Sequence, residues 1–206
     1  MRTRILVVVV ALSASIPASA PGQAFEEAVI DIGNVGITVT NAGFVGRSNV
    51  RNNPTGPPSF EYPLNSGVEH LFEAGLWVGA IRSDGVITVR TGAVTASAGY
   101  TPGGLGYELA QASPIIERSS LTSRDAFSAL AVSHQDYIAS FVDTSSVVPG
   151  TFIEMPDVQG QLGAVIEMST YAWSFPFTEY FAILNFDIIN VSDAPWDSVW
   201  VGLYHD

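Results

Sequence analysis

Apolar and polar side chains alternate along much of this chain with a period of two, the spacing that places successive residues on opposite faces of a β-strand. Val35, Ile37 and Val39 alternate with Gly36, Thr38 and Thr40 and predict a half-buried strand. Residues 75–81 and 86–89 flank Ser83-Asp84-Gly85. Asp-Gly supplies the positive φ angles of a tight turn, so these two segments predict a hairpin. Residues 137–142 and 164–173 predict two further strands. The longest alternating stretch runs from 179 to 204. Tyr180, Ala182, Leu184, Phe186 and Ile188 fall on one face, and Phe181, Ile183, Asn185, Asp187 and Ile189 on the other. Residues 190–195, ending in Pro195, break that strand, and residues 197–204 are expected to return as its hairpin partner. Only residues 123–133 suit a helix, with Ser123 as N-cap.

Two stretches are expected to be loops. Residues 45–59 collect Gly, Asn, Pro and Ser, and Pro57-Pro58 suits neither helix nor ladder. Residues 92–114 are rich in Gly, Ala and Thr, long for a connection inside a compact domain. Many short strands between Gly/Pro turns, with no internal repeat and no heptad, predict an all-β fold. The expected architecture is an antiparallel β-sandwich or jelly roll with long Gly/Pro-rich loops.

The first residues do not fit that pattern. Arg2 and Arg4 precede an apolar run from Ile5 to Leu12, and small residues follow, the order of a secretory signal peptide. The run is too short for a membrane span, which takes about 20 apolar residues. Cleavage after Ala20 would leave Pro21 first, which obstructs the peptidase; cleavage after Ala24 releases Phe25. The sequence therefore divides into a signal peptide, 1–24, and a β-sandwich-like domain, 25–206. A Sec-type leader places the mature chain outside the cell or on its outer surface, with no transmembrane segment once the leader is removed.

Charge narrows the partners. The 206 residues carry 20 Asp+Glu against 8 basic residues, all of them Arg, a formal net charge of -12. Removing 1–24 takes away Arg2 and Arg4 and leaves six Arg against 20 acids, or -14. Nucleic-acid binding needs a basic footprint to displace phosphate counterions, so nucleic acid is not an expected partner. With no cysteine, no disulfide supports the fold.

Seven islands, in order and spacing, resemble one group of proteins. They are Ile37-Thr-Val-Thr-Asn-Ala-Gly-Phe-Val-Gly46, Phe60-Glu-Tyr-Pro-Leu-Asn-Ser-Gly67, Leu71-Phe-Glu-Ala-Gly-Leu-Trp-Val-Gly-Ala80, Gln135-Asp-Tyr-Ile-Ala-Ser-Phe-Val-Asp143, Tyr171-Ala-Trp-Ser-Phe-Pro-Phe177, Asn185-Phe-Asp-Ile-Ile-Asn-Val-Ser192 and Asp197-Ser-Val-Trp-Val-Gly-Leu-Tyr204. Together they resemble the N-terminal region of large secreted and cell-surface proteins of Bacteroidetes-like bacteria. Those proteins often end in a type IX secretion sorting domain or an Ig-like module similar to the flagellar hook-cap protein. Residues 92–130 match poorly. The resemblance implies export and further domains in the same longer chain, and it carries over no activity. In such proteins the strand matching 199–204 runs into an Asp-x-Asp-Gly-like acidic turn. Here His205-Asp206 stand where that turn would begin, so the resemblance implies a domain incomplete at its C-terminus.

Candidate chemistry is sparse. Asp193, Asp197 and Asp206 cluster around the last predicted hairpin, and hard carboxylate oxygens suit calcium, but the spacing matches no EF-hand and solvated turn acids are the preferred reading. His70, His134 and His205 are scattered and form no zinc pattern. Ser133, His134 and Asp136 are the residue types of a hydrolytic triad, but neighbours in sequence seldom form one, and they read as surface polar residues. Asp136 and Asp143, seven apart, would face opposite ways on one strand. Glu154, Asp157, Glu167 and Glu179 offer no defined carboxylate pair. Gly103-Gly-Leu-Gly106 lacks the helix that a phosphate loop needs.

Aromatic residues point to sugars or to packing. Tyr171, Trp173, Phe175 and Phe177 fall at strand period, either as a platform for sugar rings or as core between sheets. Trp196, following Pro195 in a turn, is expected to be the most exposed of the four tryptophans. Trp173 and Trp196 are thus the candidate ligand-binding residues. The expected role is structural or adhesive, with an extracellular glycan or surface polymer as the partner class and no catalytic activity evident. The alternative is a carbohydrate-binding module or part of an extracellular hydrolase.

Overall fold

The computed structural model of the protein describes residues 24–46, 56–93, 107–145 and 160–205. These fold into two antiparallel sheets packed face to face, as a β-sandwich. The leader expected at 1–24 lies almost wholly outside the described residues.

The first sheet has seven strands: β1 (Glu27–Ile30), β2 (Gly36–Thr40), β3 (Phe44–Gly46), β4 (Phe60–Glu61), β5 (Glu73–Ile81), β6 (Ile87–Thr91) and β12 (Asp197–His205). The second has five: β7 (Ala110–Gln111), β8 (Ile116–Arg118), β9 (Gln135–Val142), β10 (Ala164–Ala172) and β11 (Ala182–Asn190). β2 lies between β1 on one side and β3 and β4, while β5 joins β3, β6 and β12. In the second sheet β9 carries β7 and β8 along one edge and β10 along the other, and β11 closes the order beyond β10.

The hairpin predicted around Asp84-Gly85 is present. Gly85 has φ +81, its N–H donates to the Arg82 carbonyl, and Arg82 N–H donates to the Val86 carbonyl. β9 and β10 fall on their predicted segments, and β11 alternates as predicted. Ala182, Leu184, Phe186 and Ile188 lean on the core, while Ile183, Asn185, Asp187 and Ile189 face solvent.

Several expectations are corrected. β12 does not pair with β11: it crosses to the other sheet and pairs with β5, with Leu203 beside Leu76 and Val201 beside Val78. Immediately before the crossing strand, the Trp196 ring packs on the core and its indole N–H donates to the Leu162 carbonyl, 3.0 Å. Residues 123–133 form a chain of turns. Arg124, Phe127 and Ala131 each donate to a carbonyl three residues back, whereas Ser119 N–H donates to the Ala126 carbonyl and Ser128 N–H to the Ser119 carbonyl across the loop, which takes the backbone away from a helix.

β2 is buried on both faces rather than one. Its Thr38 hydroxyl donates to the Pro58 carbonyl, 2.5 Å, and its Thr40 hydroxyl to the Phe44 carbonyl, so the polar face is covered by chain that accepts its hydrogen bonds. Val45 and Gly46 belong to β3, and Ala110 and Gln111 to β7, so both predicted loops contain strand. Residues 47–55 and 94–106 lie outside the described residues.

The main core fills the space between the sheets, with Ile30, Val39, Val78, Phe141, Ile166 and Met168 all fully enclosed. A smaller cluster sits on the opposite face of the first sheet: Ala42, Phe44, Ala93 and Tyr107, with Phe25, Trp77 and Tyr204 against it. Gly75 makes room for this cover, since a Cβ there would lie 2.3 Å from the Ala93 nitrogen. The Phe25 ring stacks on Phe44 at 5.6 Å, and the Asn41 amide donates to the Ala24 carbonyl, which pins the start of the domain.

Candidate binding surfaces

The charged groups most deeply enclosed are structural in their geometry. Asp143, just past β9, accepts hydrogen bonds from the backbone N–H groups of Leu162, Gly163 and Ala164, and so fixes the start of β10. Arg90 on β6 reaches it across the sandwich, Nε to Oδ2 3.6 Å, with both side chains about 1% exposed. Burial pushes the Asp143 carboxyl up from its ordinary value, against the opposing pull of those three N–H groups and Arg90. Nearby, Glu108 accepts from Thr91 N–H and hydroxyl, and the Tyr107 hydroxyl donates to Glu73. At the other end of β9, Gln135 accepts from Asp31 and Ile32 N–H and donates to the Asp31 carboxylate, while the Tyr137 hydroxyl donates to the Val29 carbonyl. Burial pushes the Tyr137 phenol far above its usual range. These contacts tie the two sheets together.

The triad residue types form no triad, and they are buried rather than on the surface. Asp136 accepts from the Ser133 hydroxyl and from the N–H groups of Val132 and Ser133. His134 points elsewhere, its Nδ1 2.9 Å from the Ser174 hydroxyl and its ring 4.5 Å from that of Phe175. Asp136 and Asp143 lie at opposite ends of β9. Glu167 is exposed on β10, and Glu154 and Asp157 lie outside the described residues.

Asp193, in the connection between β11 and β12, and Asp197, the first residue of β12, are both exposed, and Asp206 lies outside the described residues. Among the described residues no group of three or more His, Asp or Glu is placed to hold a metal ion.

The two candidate tryptophans are not brought together. Trp173 follows the C-terminal end of β10, and Trp196 packs beside Leu162, ahead of its N-terminal end; both are half-buried. Of the four tryptophans it is Trp200 that is most exposed, so the exposure expected of Trp196 is corrected by its packing and its hydrogen bond. Trp196 nonetheless lines an open cleft of about 260 Å³ with Arg82, Ser83, Gln161, Ser192 and Asp193.

The aromatic period also breaks. β10 ends at Ala172, and a turn closes over Phe175, whose carbonyl accepts from Thr178 and Glu179 N–H. Phe177 stacks on Phe175 at 5.6 Å and 4° and is 78% exposed. Tyr180 meets Tyr62 edge-on at 6.2 Å, and a hydrogen bond to Glu179 holds its phenol above the usual range.

The side of the sandwich formed by β11 and β12 was not visible in the sequence. Val201 and Leu203 share a face with Val78 and Leu76, the residues that point into the core. Yet Val201 is 58% exposed and Leu203 59%. On the reverse face Trp200 stands in solvent while Tyr204 stacks on Trp77 at 6.1 Å. β12 is nine residues long, holds no Lys, Arg or Pro, and carries no strand on its other edge among the described residues. Of the other outer strands, β1 has four residues and β4 and β7 two each, while β11, the outer strand of the second sheet, is as long as β12. Exposed edges are normally short or guarded by charge and bulges, and on β12 such guards, Asp197 and the irregular step before Trp200, sit at its first residues only.

Among the described residues no helix is long and apolar enough to cross a membrane. Comparison of the chain with protein-family models, with curated proteins and with solved structures gives no match in any of the three.

Proposed function

We propose that this chain is an exported β-sandwich module with a structural or adhesive role at or beyond the outer surface of a bacterium, and that it works as the N-terminal part of a longer secreted protein. The observation that carries the reading is the open side of the sandwich, where the core-side residues Val201 and Leu203 lie in solvent along a long strand without Lys, Arg or Pro. A surface of that kind meets other polypeptide rather than a small substrate. The buried acids support the same reading, since Asp136 and Asp143 spend their oxygens on backbone N–H groups and hold loops in place. The strong acidic balance keeps such a module away from nucleic acid and soluble outside the cell.

The test is to express the full chain with its leader in a bacterial host, sequence the N-terminus of the exported product, and measure its retention on insoluble extracellular polymers and on whole cells. Export with Phe25 first and saturable retention without turnover are expected. Retention in the cytoplasm, or hydrolysis abolished by one acidic substitution, overturns the reading.

A second reading, glycan binding, is favoured by the cleft at Trp196. There an indole borders Arg82, Gln161, Ser83 and Ser192, groups able to hydrogen-bond sugar hydroxyls. Trp196→Ala would then abolish affinity for a neutral oligosaccharide while Trp173→Ala, at the far end of β10, would not.

A further inference from the structure

We infer that His134 is an acid-sensitive latch on the turn between β10 and β11. Its neutral ring holds the start of that turn against the sandwich, and its protonation releases the turn together with the stacked Phe175 and Phe177. The inference goes beyond the adhesive reading and needs no partner.

The donors around the ring fix its state. His134 directly precedes β9, and the backbone N–H of Ser174 donates to its Nδ1, 3.1 Å. A backbone N–H can only donate, so Nδ1 carries the lone pair and the ring proton sits on Nε2. The Ser174 hydroxyl, 2.9 Å away, shares that lone pair, so both hydrogen bonds of Ser174 meet one nitrogen. Protonation puts a hydrogen on Nδ1. The hydroxyl then turns round and accepts from it, but the backbone N–H is left facing another N–H. Histidine is the side chain whose charge changes between about pH 5 and 8, and His134 keeps 8% of its surface open to solvent.

The rest of the turn is arranged so that this bond matters. Ala172, two residues earlier, is held separately, its N–H donating to the Ser133 hydroxyl. At the far end the Glu179 carbonyl accepts from Asn34 N–H, 2.7 Å. Between them the turn is bonded to itself, because the Phe175 carbonyl accepts from Thr178 and Glu179 N–H, so it moves as a unit about its Glu179 end. Burial holds it weakly, since Phe175 is 44% exposed and Phe177 78%. The Phe175 ring, tilted by 59°, offers a cation some attraction, but Phe175 belongs to the turn that the charge displaces.

The ionisable groups on the elements packed around His134 are engaged elsewhere. Asp136 on β9 gives its oxygens to Ser133 and Val132, with Arg118 across from it in register. Glu117 on β8 pairs with Arg124, and Asp31, between β1 and β2, takes the Gln135 amide. Glu179 closes the turn, and Asp125 is exposed. Among the described residues no carboxylate is bonded to the His134 ring, so no ion pair offsets the lost N–H bond.

The test is hydrogen exchange on the full chain, read residue by residue by NMR from about pH 8 to pH 5, each rate divided by its intrinsic value at that pH. The His134 ring signals report its charge in the same samples. Protection of the Ser174 amide is expected to fall at least about tenfold as His134 becomes charged, while that of Ala172 and Asn34 holds. His134→Asn sets an acceptor oxygen near the place of Nδ1 and cannot charge, so its Ser174 protection is expected to stay level with pH. Ser174→Ala keeps the N–H and removes the hydroxyl that accepts from the charged ring, so its fall is expected to be larger than in wild type. A ring that charges while Ser174 stays protected overturns the inference, as does a ring that stays neutral down to pH 5. An equal fall in His134→Asn assigns the switch to another group, and a fall shared by Ala172 and Asn34 is general unfolding; either result also overturns it.

Discussion

Two sides of the same sandwich treat alternating residues in opposite ways. Where β6 and the end of β9 meet, Arg90 and Asp143 are about 1% exposed, and the surrounding apolar residues are sealed. Where β11 and β12 lie, residues with the same alternation stand half in water. Val78 on β5 is fully enclosed and its cross-strand neighbour Val201 is not. The chemistry of the two valines is the same, so the difference lies in what covers them. Period two assigns a residue to a face, and only the opposing layer decides whether that face is core.

That contrast makes a graded set of predictions. The largest effect belongs to Asp143→Ala, which removes the carboxylate facing the buried Arg90 guanidinium and the acceptor of three backbone N–H groups. Loss of one partner of a buried pair costs about 3–5 kcal/mol, read from urea denaturation. Ile166→Ala follows, at about 2–5 kcal/mol, as a cavity in a sealed core. A loss below about 1 kcal/mol at Ile166 would break the contrast.

The third prediction concerns pH. The folded-state pKa of Asp143 is raised above its ordinary value, chiefly by burial, so the native state holds that proton more tightly than the unfolded chain. The stability due to this group is complete below the unfolded pKa and is lost as pH rises through the folded one. Asp143→Asn removes that dependence. The stability difference between wild type and variant is therefore expected to move against the wild type as pH climbs from about 3.5, with every other titrating group cancelling in the difference. A difference that moves the other way would mean that Arg90 and the backbone donors outweigh burial.

The smallest effect is expected at Leu203→Ala, within about 0.5–1 kcal/mol when measured on dilute, monomeric protein, because little of its surface is removed from water. A larger loss would show that the open side is closed in solution.

Much of the fold was legible because strand patterning is local. β9, β10, β11 and the Asp84-Gly85 hairpin each announce themselves within ten or so residues, through side-chain period or turn chemistry. What failed was non-local. Nothing in residues 179–204 says that β12 leaves β11 for a strand more than a hundred positions earlier, because an alternating segment satisfies either neighbour equally. β2 looked half-buried because Thr38 and Thr40 are polar, yet carbonyls of Pro58 and Phe44 satisfy their hydroxyls in the interior. Residues 123–133 have helical composition, but backbone bonds to Ser119 outcompete it.

The candidate site was less legible still. The indole N–H of Trp196 is engaged by the Leu162 carbonyl, a partner no spacing reveals. Ser133 and Asp136 were read as surface groups, and they are buried because their oxygens and hydrogens satisfy one another. Arg90 gave a usable signal that went unread: an arginine at an inward strand position next to two threonines implies a buried acid somewhere in the fold.

β5 pairs with β3, β6 and β12, and the last of these contacts spans more than a hundred positions of sequence. During synthesis from the N-terminus, β3, β5 and β6 can assemble early from neighbours in sequence, while one edge of β5 waits for β12. Closing so long a loop is entropically costly and slow, so the docking of β12 is expected to be the late step in folding. Until then Leu76 and Val78 border an exposed edge, and the nascent domain is at its most prone to mispairing. The strand that ends as the most exposed in the sheet is thus also the one that shelters its central member.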